Sequence, residues 1–159
     1  MAADWNPAQY QRFATQRAQP FWDLVDLIHR GAIERAVDLG CGTGDLTVSA
    51  AERLGIGRMT GIDNSPAMLE QAEQHGRVEV DFEYGDIARW TSDGDHDLVL
   101  ANAALQWVPD HQVVLERWVA ALAPEGQLAV QVPANHDHPS HLASSFVAHR
   151  EPFASAVEG

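Results

Sequence analysis

Apolar and polar positions follow two different periods along this chain of 159 residues. Phe21, Leu24, Val25, Leu27 and Ile28 recur at helical spacing, and with Pro20 in front of them they predict a helix that opens at that proline. An earlier helix is expected in the first residues, with Asp4 or Asn6 as N-cap and Pro7 near its first turn. From Arg35 onward short apolar runs replace the stripe. They predict strands at residues 35–39, 58–62, 79–84, 96–101 and 126–132, separated by helices at about 45–54, 66–75 and 110–122. Ser65-Pro66 opens the second of these helices, and the third closes before Pro124-Glu125-Gly126. A further helix, about Ser140 to His149, follows the last strand. Strands alternating with helices predict an α/β fold, a doubly wound Rossmann-like parallel sheet with right-handed crossovers, in a single domain.

Such a sheet binds ligands beyond the carboxyl ends of its strands, beside the point where strand order reverses. The unusual residues of the chain fall there. Val37-Asp38-Leu39-Gly40-Cys41-Gly42-Thr43-Gly44 ends the first strand and Gly61-Ile62-Asp63 ends the second. Gly40, Gly42 and Gly44 permit a sharp turn and a close ligand approach. The helix they open near Asp45 offers N–H groups to a carboxylate or phosphate, and Asp38 supplies the opposite sign, as an ammonium group requires. Asp63, 23 positions after Gly40, stands where an acidic residue accepts hydrogen bonds from ribose hydroxyls. An amine and a ribose together describe S-adenosylmethionine (SAM).

Plainer readings exist for each residue. The glycines can serve packing alone, and Asp63 can be a helix N-cap ahead of Ser65-Pro66. Asp86 can accept from an adenine amine with Ile87 against the ring, or be an ordinary turn aspartate. Met68 can lie against adenine or in the core. The rival ligand, a nicotinamide dinucleotide, wants Gly-x-Gly-x-x-Gly and brings a pyrophosphate that Asp38 would face poorly.

Charge narrows the partners. A formal net charge of −13, with ten arginines spread without a run and no lysine, argues against nucleic acid and anionic membranes. The single cysteine, Cys41, excludes an internal disulfide, and with no apolar run of 18 residues and no signal-peptide core the expected location is the cytoplasm. His136, His138 and His141 cluster after the last strand, but their spacing on a proline-broken loop matches no helical ligand pair, so no metal is expected.

Val-Asp-Leu-Gly-Cys-Gly-Thr-Gly, Gly-Ile-Asp63-Asn-Ser-Pro-Ala-Met68, Gly-Asp86-Ile87 and Ala101-Asn102-Ala-Ala-Leu-Gln106-Trp107 together resemble class I SAM-dependent methyltransferases. Asp4-Trp5-Asn6-Pro7-x-x-Tyr10, Gln106-Trp107-Val-Pro109-Asp110-His111 and Gln131-Val-Pro133-Ala-Asn135 narrow the resemblance to the bacterial trans-aconitate 2-methyltransferases, over nearly all of residues 3 to about 140.

The resemblance implies methyl transfer from SAM to a carboxylate of trans-aconitate, with a monomethyl ester and S-adenosylhomocysteine as products. It implies cofactor contacts at Asp38, Gly40, Cys41, Gly42, Gly44, Asp63, Asn64, Met68, Asp86, Ile87, Ala101 and Asn102. The acceptor carboxylate is already ionised at neutral pH, so no catalytic base is expected and the work is proximity and orientation. Trp5, Tyr10, Arg17, Gln106 and Trp107 are candidates for the acceptor pocket. The aromatic faces of Trp5 or Tyr10 suit a sulfonium, and Arg12 or Arg17 suits the acceptor's carboxylates; a packed lid for Trp5, a core position for Trp107 and a solvated helix face for the arginines are the alternatives.

In this reading residues 1–30 are a helical lid, 31–133 the Rossmann-like core and 134–159 the start of the acceptor-binding part. The family's sheet has seven strands and five are predicted here, so the chain is expected to be the cofactor-binding part of a larger enzyme. A methyltransferase of another small metabolite, or a truncated SAM-binding module without turnover, are the alternatives.

Overall fold

The computed structural model describes residues 14–29, 31–134, 138–150 and 153–154. Its five strands are β1 (Arg35–Leu39), β2 (Arg58–Asp63), β3 (Val80–Tyr84), β4 (His96–Asn102) and β5 (Leu122–Gln131). They form one parallel sheet in the order β3-β2-β1-β4-β5. The helices are α1 (Ala14–Val25), α2 (Asp45–Leu54), α3 (Pro66–Ala72), α4 (His111–Ala120) and α5 (Pro139–Ala148), with single 3₁₀ turns at Glu73–His75 and Leu105–Trp107. Strand order reverses between β1 and β4, so the loops leaving these two strands diverge and open a crevice between them.

Each strand of the centre is buried on both faces, as a parallel sheet covered by helices requires. Ala36, Met59, Leu98, Leu100 and Ala129 face one side and pack with Phe21, Leu24, Val25, Val48 and Ala51 of the α1 and α2 layer. Val37, Leu39, Ile62, Val99 and Ala101 face the other and pack with Leu105, Val108, Val114 and Trp118. This alternation follows from the period of two along a strand. α2 ends where Gly55, at φ 66°, turns its N–H back to the carbonyls of Ala51 and Glu52, a stop that a residue with a Cβ would strain.

The structure departs from the predicted elements at Pro20, at the end of α1 and at the start of β5. Pro20 lies inside α1 and does not open it. A mid-helix proline loses one backbone hydrogen bond, and the burial of Phe21, Leu24 and Val25 just beyond it offsets that loss. The same helix stops at Val25, which leaves Leu27 78% exposed while Ile28 returns to the core. β5 begins at Leu122, upstream of Pro124-Glu125-Gly126; there Glu125 takes φ 67° and the pairing with β4 shifts between His96 and Leu98, so the expected turn is a bulge within the strand. Between β3 and β4, where the sequence predicts no helix, a turn spans residues 87–89. It is tied to α4 through Trp118 Nε1, which donates to the Ile87 carbonyl at 3.1 Å, and through Arg117, which donates to the Ala88 carbonyl. Among the described residues no helix is long and apolar enough to cross a membrane.

Candidate functional site

The turn after β1 is built on three left-handed glycines, Gly40 at φ 88°, Gly42 at 56° and Gly44 at 74°. The Gly40 and Cys41 amides both donate to the Ile62 carbonyl, at 2.7 and 3.1 Å, which ties the turn to the end of β2. Two of these glycines also carry a packing requirement. A Cβ on Gly40 would stand 2.4 Å from Ala104 Cβ, and one on Gly44 would meet the Phe82 ring at 2.5 Å. Packing and backbone conformation therefore act together at these positions.

Asp38 and Asp63 lie on one face of the sheet at the ends of neighbouring strands, Asp38 being in register with Gly61. Asp38 is 3% exposed and accepts a hydrogen bond from Thr47 Oγ1 of α2 at 2.6 Å. Burial pushes its carboxyl up to about 6, with the Asp63 charge adding to the rise and the Thr47 hydroxyl working against it. Asp63 uses both carboxylate oxygens: Oδ2 accepts from the Gly42 amide at 2.9 Å and Oδ1 from the Ser65 amide at 2.8 Å. It thereby pins the glycine turn to the start of α3. Ser65 itself makes no side-chain cap, so the capping role read for Asp63 is realised in part, through one amide just ahead of the helix. Cys41 sits beside both carboxylates. Burial and then the two negative charges push its thiol far above the ordinary range, which removes it as a nucleophile at neutral pH.

The other sequence-derived positions divide by exposure. Met68 is 3% exposed and Ala101 0%, both inside the packed interior, so Ala101 offers a ligand only its backbone. Asn64 is exposed at the mouth, and Asn102 is half-buried at the end of β4. Asp86 is exposed; its Oδ1 accepts from the Ala88 amide at 2.9 Å, the local bond of a turn aspartate, while Ile87 packs part of its surface on the core.

After β4 the chain enters a left-handed Ala103 at φ 53° and leaves the 3₁₀ turn through a left-handed Asp110 at φ 55°. Between them Leu105 is buried, Gln106 Nε2 donates to the Ala103 carbonyl at 2.6 Å, and Trp107 is 68% exposed beside the crevice. Trp107 is therefore not a core residue. Trp5, Tyr10 and Arg12 lie outside the described residues, as does the side chain of Arg17. Of the lid expected over residues 1–30, Phe21, Leu24, Val25 and Ile28 belong to the core, while residues 1–13 lie outside the described residues. His136 is outside the described residues, and among those described no three metal-binding side chains converge.

A methyltransferase-domain family model matches residues 36–126, more than half of the chain and the whole of the β1–β4 switch region. The chain belongs to this methyltransferase family. Within it, the trans-aconitate 2-methyltransferase of Mycobacterium sp. (strain KMS) is 46% identical over 150 residues, 94% of this chain and 58% of the relative. The Streptomyces coelicolor protein of the same name is 48% identical over 147 residues, 88% of this chain and 48% of its own length. The chain thus spans between about half and three fifths of the length of these curated relatives. Among solved structures, a SAM-dependent methyltransferase from Mesorhizobium loti superposes with a TM-score of 0.64 at 26% identity, over 70% of this chain and 52% of that one. A putative methyltransferase from Haloferax volcanii, solved with its Trm112 activator, superposes at 0.75 with 24% identity over 86% of this chain and 62% of that one, which shows the shared fold.

Three residues of this methyltransferase domain were not singled out by the sequence reading. Thr47 is one, nine positions after Asp38 and fully buried against it. Its signal is a polar residue on the apolar side of α2, between Leu46 and Val48. Ala104 is another, fitted under Gly40, and Ala103 the third, in a backbone conformation that alanine rarely adopts.

Proposed function

We propose that the chain is the cofactor-binding part of a SAM-dependent carboxyl O-methyltransferase that esterifies one carboxylate of trans-aconitate and releases S-adenosylhomocysteine. The observation that carries the reading is the buried Asp38 carboxylate beside a left-handed glycine turn at the switch point, with Asp63 at the end of the next strand. A buried anion with a single hydroxyl donor among the described residues calls for a cation, and the amino group of SAM is one; a dinucleotide's pyrophosphate is not. In this assignment Asp38 attracts the ammonium, and Asp63 takes the ribose hydroxyls on the lone pairs left beside its two amide bonds. Asp86 and Ile87 lie at the adenine end, Asn64 and Asn102 border the mouth, and Cys41 contributes backbone and shape.

SAM supplies the methyl group as a sulfonium, already activated for transfer. The chain's task is then to bind, orient and exclude water. A carboxylate acceptor with a pKa of about 4 is ionised at neutral pH, so no side chain has to remove a proton, and a fixed line of attack supplies about 7 to 11 kcal/mol. Gln106 and Trp107, on the strained segment after β4, border the acceptor side, with Trp5, Tyr10, Arg12 and Arg17 of the N-terminal segment assigned to close it. The identities to the trans-aconitate enzymes over 94% and 88% of the chain support this acceptor above other small acids. The acidic surface and the absence of lysine favour a small polycarboxylate held by local arginine in the cytoplasm over a nucleic-acid or membrane partner.

Calorimetric titration with S-adenosylhomocysteine and with NAD tests the cofactor, and equal or tighter NAD binding would overturn it. Mass spectrometry of trans-aconitate, cis-aconitate, citrate and isocitrate after incubation with SAM tests the acceptor. It is run on this chain and on a form as long as the relatives. A methyl ester of another acid in preference to that of trans-aconitate would move the reading to a different small-metabolite methyltransferase.

A further inference from the structure

The two carboxylates behind the glycine turn are held differently. Asp63 is met by two backbone amides, from Gly42 and Ser65. Among the described residues Asp38 is met by one hydroxyl, and the residue that brings it, Thr47, is 0% exposed. A buried threonine on the sheet side of α2 gains nothing from its hydroxyl unless that group is bonded; here it has one acceptor to serve, at 2.6 Å. The titratable groups near Asp38 among the described residues are Asp63 from β2 and the Cys41 thiol from the turn; Asp45, at the start of α2, is engaged by Thr43 Oγ1 at 2.6 Å.

Burial and the neighbouring charge of Asp63 oppose the ionised form of Asp38, and a hydroxyl that donates to a carboxylate bonds the anion more strongly than the acid. The Thr47 hydroxyl also holds one carboxylate oxygen of Asp38, Oδ2, from the buried face of α2.

We propose that Thr47 is a positioning residue of the cofactor site, holding Asp38 as an oriented anion so that docking of the ligand's ammonium and departure of any proton on Asp38 are a single event. The proposal rests on the SAM reading above. No covalent bond to the ligand forms: the ammonium keeps its charge, the O–H bond of a protonated Asp38 breaks, and the proton passes to solvent. Cofactor affinity is then linked to pH through Asp38, with the carboxyl poised at about 6 in the free protein. Its charge is present above that value and lost as pH falls through it.

The test is calorimetric titration of the 159-residue chain with S-adenosylhomocysteine from pH 5 to 8, in two buffers of different ionisation heat so that released protons are counted. Adenosine, which lacks the amino-acid arm, is the control ligand. S-adenosylhomocysteine affinity should fall about tenfold between pH 7 and pH 5, with net proton release near pH 6, while adenosine affinity stays flat. Thr47→Val should move the midpoint up by about one pH unit, and Thr47→Ser should restore it. Should Thr47→Val fail to fold, Asp38→Asn decides, with weaker S-adenosylhomocysteine binding that no longer depends on pH. A flat pH profile in the unaltered chain, a slope that persists in Asp38→Asn, or a Thr47→Val loss shared equally by adenosine at every pH would overturn the proposal and leave the SAM reading standing. A folded chain that binds S-adenosylhomocysteine at no pH overturns the SAM reading and this proposal together.

Discussion

The loop after β1 and the loop after β4 border the same crevice and are made in opposite ways. In the first, glycines occupy the left-handed positions, backbone amides reach the Ile62 carbonyl and the Asp63 carboxylate, and Gly44 closes against Phe82. In the second, non-glycine residues Ala103 and Asp110 hold left-handed φ, and a tryptophan projects 68% exposed. A left-handed alanine costs about 1–2 kcal/mol; aspartate visits the region more readily than alanine. One side is thus relaxed and closely packed, the other strained and open. Strain at a crevice marks where geometry is held for a purpose other than stability, and here that side is the one assigned to the acceptor.

The two loops approach each other at Gly40 and Ala104, and the largest expected effect lies there. Gly40→Ala combines a Cβ 2.4 Å from Ala104 Cβ with φ 88° and should lose about 3 kcal/mol in urea unfolding, the sum of overpacking and left-handed strain. Adding Ala104→Gly should recover the overpacking share, about half of it. Gly55→Ala, at φ 66° with nothing within 4 Å, should show the strain alone, about 1–2 kcal/mol. A double variant no more stable than Gly40→Ala would break the claim that the loops bear on each other there.

Asp63→Ala separates the sides further. It removes the acceptor of two backbone amides and should cost about 2 kcal/mol of stability, within the range for bonds to a charged group, together with a loss of S-adenosylhomocysteine affinity. Unchanged unfolding would mean that the loop after β1 holds its shape without this carboxylate. The smallest effect belongs to the strained loop: Ala103→Gly should stabilise the fold by up to about 1 kcal/mol, since glycine takes φ 53° freely. In a full-length form, slower methyl transfer by that more stable variant would sharpen the contrast, and faster transfer would end the functional reading of the strain.

How much of this was legible beforehand follows from how local each cause is. The three alternating glycines announced a turn with positive φ, because few other residues adopt it, and Asp38 and Asp63 were found by their places at the ends of apolar runs. Met68 and Trp107 each kept two readings because a side chain's exposure depends on the neighbouring segment; the fold buries one to 3% and leaves the other 68% exposed. Pro20 misled for a related reason: proline is at home in the first turn of a helix, and the helix that runs through it is held by burial against the sheet.

From its order of residues alone the chain determined the succession of strands and helices, the parallel sheet they imply and the glycine turn after the first strand, since hydrophobic period and glycine's backbone freedom act within a few neighbouring positions. Tertiary structure decided which groups meet: Thr47 with Asp38, Ala104 under Gly40, both amides on Asp63 and the bulge at Glu125. Those pairings exist because β1 is sandwiched between β2 and β4 in one register, a long-range arrangement that leaves no mark on the spacing of residues within any single segment.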